Sequence, residues 1–94
     1  MKLFFTVAVL FLFSGVAQAD TLLGHTMRMA RRGGIWHDRA RGGGAEVVAK
    51  VSPGFGQRWR AMQTWRRSRP HNAILNMRGI LRVRCYRGYC TGRK

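Results

Sequence analysis

The chain has 94 residues, of which 18 are lysine or arginine and only three are aspartate or glutamate, so its formal net charge is +15 at pH 7. A chain this short builds one small domain at most. Three acidic residues provide no paired carboxylates for acid–base catalysis, and no phosphate-binding glycine motif is present. We therefore expect a binding or interaction protein and not an enzyme.

The N-terminal segment has the pattern of a secretory signal peptide. Lys2 precedes an apolar run over residues 3–13, and Ala17 and Ala19 provide small residues at a cleavage site. This pattern predicts a signal peptide over residues 1–19, cleaved before Asp20. The run is shorter than the about 20 residues of a membrane-spanning helix, and no later stretch is apolar enough to span. We expect a secreted or periplasmic protein.

The mature chain, residues 20–94, is predicted to form a single small domain with a marginal core. It keeps 17 of the 18 basic residues and all three acidic ones, a net charge of +14. Leu, Ile, Val and Phe make up 12 of its 75 residues, or 16%. That share lies below the roughly 20% at which highly charged chains tend toward disorder, and tryptophans and methionines offset it in part.

The first predicted element of the mature chain is a helix over about residues 20–32. Apolar residues recur there at i, i+4 and i+7, and the glycine pair at 33–34 ends the pattern. Residues 38–44 are rich in glycine and arginine and indicate a loop. The apolar run at 46–51 is either a strand or a buried turn.

A second helix is predicted over about residues 56–67. Phe55, Trp59 and Met62 would share one face of it. Pro70 is predicted to end this helix, because the residue before a proline avoids helical geometry.

The C-terminal segment is predicted to be a hairpin closed by a disulfide. Residues 82–86 alternate as a strand does, and Arg87-Gly88 can form a two-residue turn that places Cys85 opposite Cys90. The two cysteines should pair in an oxidising compartment. Helices, a strand-like segment and a hairpin together indicate an α+β fold.

Three short motifs carry a resemblance to a known family. They are His25 through Met29-Ala30 to His37, then Gly44-Ala45-Glu46, then Trp65, Ser68 and His71. This order resembles bacterial members of the CAP superfamily (SCP-like; cysteine-rich secretory, antigen-5 and pathogenesis-related proteins). The resemblance implies an α-β-α sandwich. It would be a trimmed version, because the family's first helix and closing strand are absent or shortened here.

The resemblance also implies a site. In the family, two histidines and glutamates line a cleft that can hold a divalent metal, and by matching these would be His37, His71 and Glu46. Imidazoles and a carboxylate form a ligand set for zinc with an open fourth position for water. Plainer interpretations remain: the histidines are ordinary packing or surface residues, and Glu46 pairs with an arginine. His25 and Trp65 are expected to pack in the interior, and Ser68 to hydrogen bond at a helix end.

The excess of arginine favours a rival function. A secreted chain of this charge is drawn to anionic surfaces such as lipopolysaccharide, anionic lipid or cell-wall polymer. Trp59 and Trp65, flanked by arginines, would suit an interfacial helix. The arginine-rich hairpin is also similar to disulfide-closed antimicrobial peptides. Basic and aromatic residues suit nucleic acid as well, but secretion disfavours that partner.

Overall fold

The computed structural model describes residues 21–41 and 44–94, so the predicted signal peptide lies outside the described residues. The elements in chain order are α1 (Thr21–Arg32), a short 3₁₀ helix (Arg39–Arg41), β1 (Glu46–Lys50), α2 (Gln57–Arg66), α3 (Arg69–Leu75), β2 (Arg82–Tyr86) and β3 (Tyr89–Arg93). Within this part of the chain, no helix is both long enough and apolar enough to cross a membrane.

The three strands form one antiparallel sheet in the order β1-β3-β2. The apolar run that was ambiguous between strand and turn is β1, and it pairs with β3 from Glu46↔Arg93 to Lys50↔Tyr89. The central strand is therefore the last one in the chain, and residues about 40 positions apart must meet before the sheet exists.

The predicted C-terminal hairpin is confirmed. Arg87 and Gly88 form its turn with φ of 51° and 85°, the left-handed geometry that matches the twist of the strands. Cys85 and Cys90 lie opposite each other and form a disulfide. Gly88 is required for a second reason: a Cβ there would collide with the carbonyl oxygen of Val51.

Helices cover both faces of the sheet, so the α+β sandwich predicted from the sequence is confirmed. On one face, α1 packs over β2 and β3, with Met29, Val48 and Tyr89 buried between them. On the other face, α2 and α3 cover the main cluster. The buried members of that cluster are Val47, Ala49, Ala61, Trp65, Val83 and Cys90.

Trp65 is the largest side chain in the core. It is 0% exposed, and its indole N–H donates to the carbonyl of Val48 at 3.1 Å. Gly92 on the central strand packs closely against the same cluster, since a Cβ at that position would lie 2.9 Å from Val47 and 3.1 Å from Leu81. The prediction of Trp65 as a core residue is confirmed. The interpretation that placed its ring at a membrane interface is wrong for the folded chain.

The apolar face predicted for α2 differs from the observed one. Phe55 lies before the helix and is fully exposed, and Trp59 is 66% exposed. The helix instead buries Ala61 and Trp65, one turn apart. Pro70 does not simply end a helix but lies in the first turn of α3, where its missing N–H costs nothing.

Candidate functional site

A pocket of about 530 Å³ lies along β1, an edge strand of the sheet, between the loop after α1 and the helices α2 and α3. His37 reaches it from the loop after α1, and His71 reaches it from α3. Its lining consists of Ile35, Trp36, His37, Val48, Ala49, Lys50, Thr64, Trp65, Ser68 and His71. The fold thus brings both predicted histidines, distant in sequence, to one cleft. We call this pocket the histidine cleft.

Glu46 lies behind His37 and does not line the histidine cleft. The residue is only 3% exposed, and three donors engage its carboxylate. One oxygen accepts from His37 Nδ1 and from the backbone N–H of Asp38, both at 3.0 Å. The other accepts from Arg93 Nε at 2.8 Å, across the register pair that joins β1 and β3. The glutamate therefore pairs with an arginine and a histidine at once.

The pKa of Glu46 reflects two opposing effects. Burial raises it, but the hydrogen bonds from Arg93, the Asp38 backbone and His37 outweigh burial, and the pKa falls below its ordinary value of 4.5. Glu46 is thus ionised at neutral pH. An ionised carboxylate only accepts hydrogen bonds, so His37 must donate from Nδ1. In the neutral ring, Nε2 of His37 then carries the free lone pair.

Asp38 extends this charged cluster. Its carboxylate accepts from Arg93 Nη2 at 3.1 Å and lies 3.8 Å from Arg28 Nη2. Burial raises the pKa of Asp38, but the Ala40 backbone N–H and the charges of its neighbours lower it overall. Asp38 and Glu46 thus both bind the Arg93 guanidinium. The three residues lie at the end of the sheet where β1 begins and β3 ends.

His71 is oriented by a serine of the same motif. Its Nδ1 lies 2.7 Å from Ser68 Oγ, and Ser68 stands at the N-cap of α3. The serine hydroxyl makes no capping bond to the helix backbone, so its helix-end role is to hold the imidazole. Both histidines of the cleft are therefore fixed through Nδ1, which leaves Nε2 of each to face other partners.

His25 has a role that sequence reasoning missed. The ring is fully buried on the inner face of α1, and its Nε2–H donates to the carbonyl of Trp36 at 2.8 Å. It also contacts the Trp36 ring edge-on, at 5.4 Å between centroids. Because Trp36 directly precedes His37, His25 ties the loop of the histidine cleft to α1. The helical spacing of Leu23, Met27 and Ala30 did not identify the buried face of α1, which carries Leu22, His25, Thr26 and Met29. No spacing indicated this bond.

The histidine cleft offers two imidazoles and no third protein ligand for a divalent metal among the described residues. Among the described residues, no group of three or more His, Cys, Asp or Glu side chains is placed to hold a metal ion. His37 and His71 present imidazole nitrogens, and Glu46 behind His37 matches the outer carboxylate that commonly orients a metal-binding histidine. Metal binding by His37, Glu46 and His71 stays a prediction.

No family model, no curated protein and no solved structure matches this chain. What the histidine cleft binds is therefore argued from its own side chains.

Proposed function

We propose that the protein is a secreted, trimmed CAP/SCP-like domain with a binding role, and that the histidine cleft is its ligand site. The observation that carries the proposal is that His37 and His71 line one pocket. Trp65 and Ser68 of the third motif line it too, and Glu46 of the second bonds His37. The signal-peptide pattern and the disulfide support secretion.

A divalent metal such as zinc is the ligand class that this site favours. His37 and His71 would hold it through Nε2, and Glu46 would keep the His37 ring in the required tautomer. The metal would supply a Lewis acid that recruits a further anionic or neutral donor from the ligand. The apolar walls, including Trp36 and Val48, would shield that contact from water.

Zinc titration by isothermal calorimetry tests this assignment. His37→Ala and His71→Ala should each abolish binding, and Glu46→Gln should weaken it about tenfold, as loss of an orienting partner does. Trp59→Ala is the matched control, since Trp59 is exposed and outside the pocket lining, and it should bind zinc as the parent does. Binding that survives loss of both cleft histidines would contradict the proposal.

Association with anionic surfaces is the second candidate function, and a specific observation favours it. Trp59 and Phe55 are exposed instead of buried, in a chain whose basic residues outnumber its acidic ones by six to one. Such a chain should bind lipopolysaccharide, anionic lipid or cell-wall polymer in a salt-dependent way. His37→Ala should leave this binding unchanged, which separates it from the histidine cleft.

A further inference from the structure

Two aromatic side chains project from one end of the molecule. Phe55, on the turn before α2, is fully exposed, and Trp59, in the first turn of α2, is 66% exposed. We call these two residues the aromatic tip. Single exposed apolar residues are common on proteins, but here two large exposed rings lie on one turn and on the first turn of the helix that follows it.

The turn that carries Phe55 is held by several hydrogen bonds. The guanidinium of Arg60 folds back under it and donates to the carbonyls of Ser52, Pro53 and Phe55 at 2.6 to 3.2 Å. Gly54 and Gly56 supply the positive φ values that the turn requires. An arginine that makes four hydrogen bonds to the carbonyls of a turn fixes the backbone that carries the exposed phenylalanine.

The same turn is anchored to the disulfide-closed hairpin. The N–H of Val51 donates to the carbonyl of Gly88 at 2.7 Å, and the N–H of Gly88 donates to the side chain of Gln57 at 2.8 Å. The aromatic tip therefore lies beside the hairpin turn and its Arg87. Lys50, at the end of β1, belongs to the same end of the sheet.

Charge is distributed unequally between the two ends of the sheet. The two acidic residues of the described chain, Asp38 and Glu46, both bind Arg93 at the opposite end. The end with the aromatic tip carries Lys50, Arg58 and Arg87, all exposed. Within the described residues, no carboxylate offsets them there.

We propose that the aromatic tip inserts into the interface of an anionic phospholipid bilayer, with Lys50, Arg58 and Arg87 contacting the headgroups. The assignment rests on the anionic-surface part of the proposed function and narrows it to one face and one partner. Rigid aromatic rings beside cations match the headgroup region, where rings enter the apolar boundary and arginines remain at the phosphates. A soluble polyanion would contact Lys50, Arg58 and Arg87 and would not require the aromatic rings.

Co-sedimentation with vesicles tests the proposal on the purified, oxidised protein. Vesicles of phosphatidylglycerol and phosphatidylcholine should bind it, and phosphatidylcholine alone should bind it far less. Phe55→Ala and Trp59→Ala should each lower the vesicle affinity about tenfold, the effect of removing one large apolar group from its buried position. Both rings are exposed, so neither change should disturb the fold.

Two further variants make the test specific. Arg60→Lys keeps the charge but removes the fork that fixes the turn, so vesicle affinity should fall about threefold. Ile80→Ala is the matched control, because Ile80 is 86% exposed but precedes β2 at the other end of the sheet, and it should bind as the parent does. Binding to heparin should be equal in all of these variants.

The possible outcomes separate the aromatic tip from the broader function. Vesicle binding that persists at parent strength without both rings would overturn the tip and leave charge-driven surface binding in place. Failure of the parent to bind vesicles while it still binds heparin would overturn the tip alone, and failure to bind either would overturn both. A loss of heparin binding in Phe55→Ala and Trp59→Ala would indicate a polyanion site and would also contradict bilayer insertion.

Discussion

Replacing Glu46 with glutamine tests the network on which the histidine cleft depends. The change removes one charge and keeps the shape of the side chain. A glutamine amide has one oxygen and one NH₂ group, whereas three donors now face the carboxylate. At least one donor, from His37 or Arg93, must then face another donor.

The expected loss of stability depends on the burial of Glu46 and on the partners that Arg93 and His37 keep after the substitution. The Glu46 side chain is 0% exposed, and removing one partner of a buried ion pair costs about 3–5 kcal/mol. Arg93 keeps its hydrogen bond to Asp38, and the His37 side chain is 53% exposed, so water can solvate it. We therefore expect the lower end, a loss of about 3 kcal/mol in the free energy of unfolding at pH 7.

The cost should depend on pH in a defined direction. Because the folded pKa of Glu46 lies below 4.5, its ionised form contributes stability above that pH, and the contribution is lost as pH falls through the folded pKa. The pKa of Asp38 is lowered as well and adds to this acid sensitivity. A protonated glutamate resembles glutamine, so the difference between Glu46→Gln and the parent should shrink in acid.

Urea unfolding at pH 7 and at a series of lower pH values measures this difference. Arg82→Gln is the control: it also removes one charge, but from an exposed residue, and should change stability by less than about 0.5 kcal/mol. A loss below about 1 kcal/mol for Glu46→Gln at pH 7, or one that stays constant into acid, would refute the reasoning.

Three further substitutions and one chemical treatment test the packing. Gly88→Ala should prevent stable folding because its Cβ meets a backbone carbonyl, whereas Gly54→Ala, also at positive φ but in open space, should cost about 1–2 kcal/mol in thermal or urea unfolding. Reducing the disulfide, which closes a loop with a sequence separation of 5, should cost about 2 kcal/mol and leave the far-UV circular dichroism spectrum intact. Trp65→Phe should lose about 2 kcal/mol through the missing hydrogen bond and the cavity, and unchanged urea stability would contradict its place in the core.

Sequence patterns predicted the parts of the fold that form between residues close together in the chain. The α1 helix, the two-residue hairpin turn and the pairing of Cys85 with Cys90 each depend on residues a few positions apart. The strand at 46–51 could not be decided, because its partner is β3, and a short apolar run does not reveal a partner so far along the chain.

The exposed rings show a different limit. Spacing put Phe55 and Trp59 on the buried face of a helix, but the helix begins at Gln57 after a turn with positive φ at Gly54 and Gly56, so Phe55 lies outside it. Within α2 the buried residues are Ala61 and Trp65. Periodicity indicates which residues would share one face of a helix. It does not indicate where a turn with glycine at positive φ changes the direction of the chain.

The candidate site was predictable in part. The motif resemblance named His37, Glu46 and His71, and the structure brings the two histidines to one cleft. Pairing of Glu46 with an arginine was one of the alternatives, but the sequence could not name Arg93, since that pair forms only across the finished sheet. It also gave no sign that His25 holds the cleft loop through a backbone carbonyl.

Nuclear magnetic resonance of the three imidazoles during a zinc titration tests the central claim most directly. His37 and His71 line the histidine cleft, whereas His25 is buried and serves as an internal reference. The account predicts that the Nε2 resonances of His37 and His71 shift together at the same zinc concentration while His25 stays unchanged. Independent shifts of the two histidines, or no shift at either, would contradict a shared site.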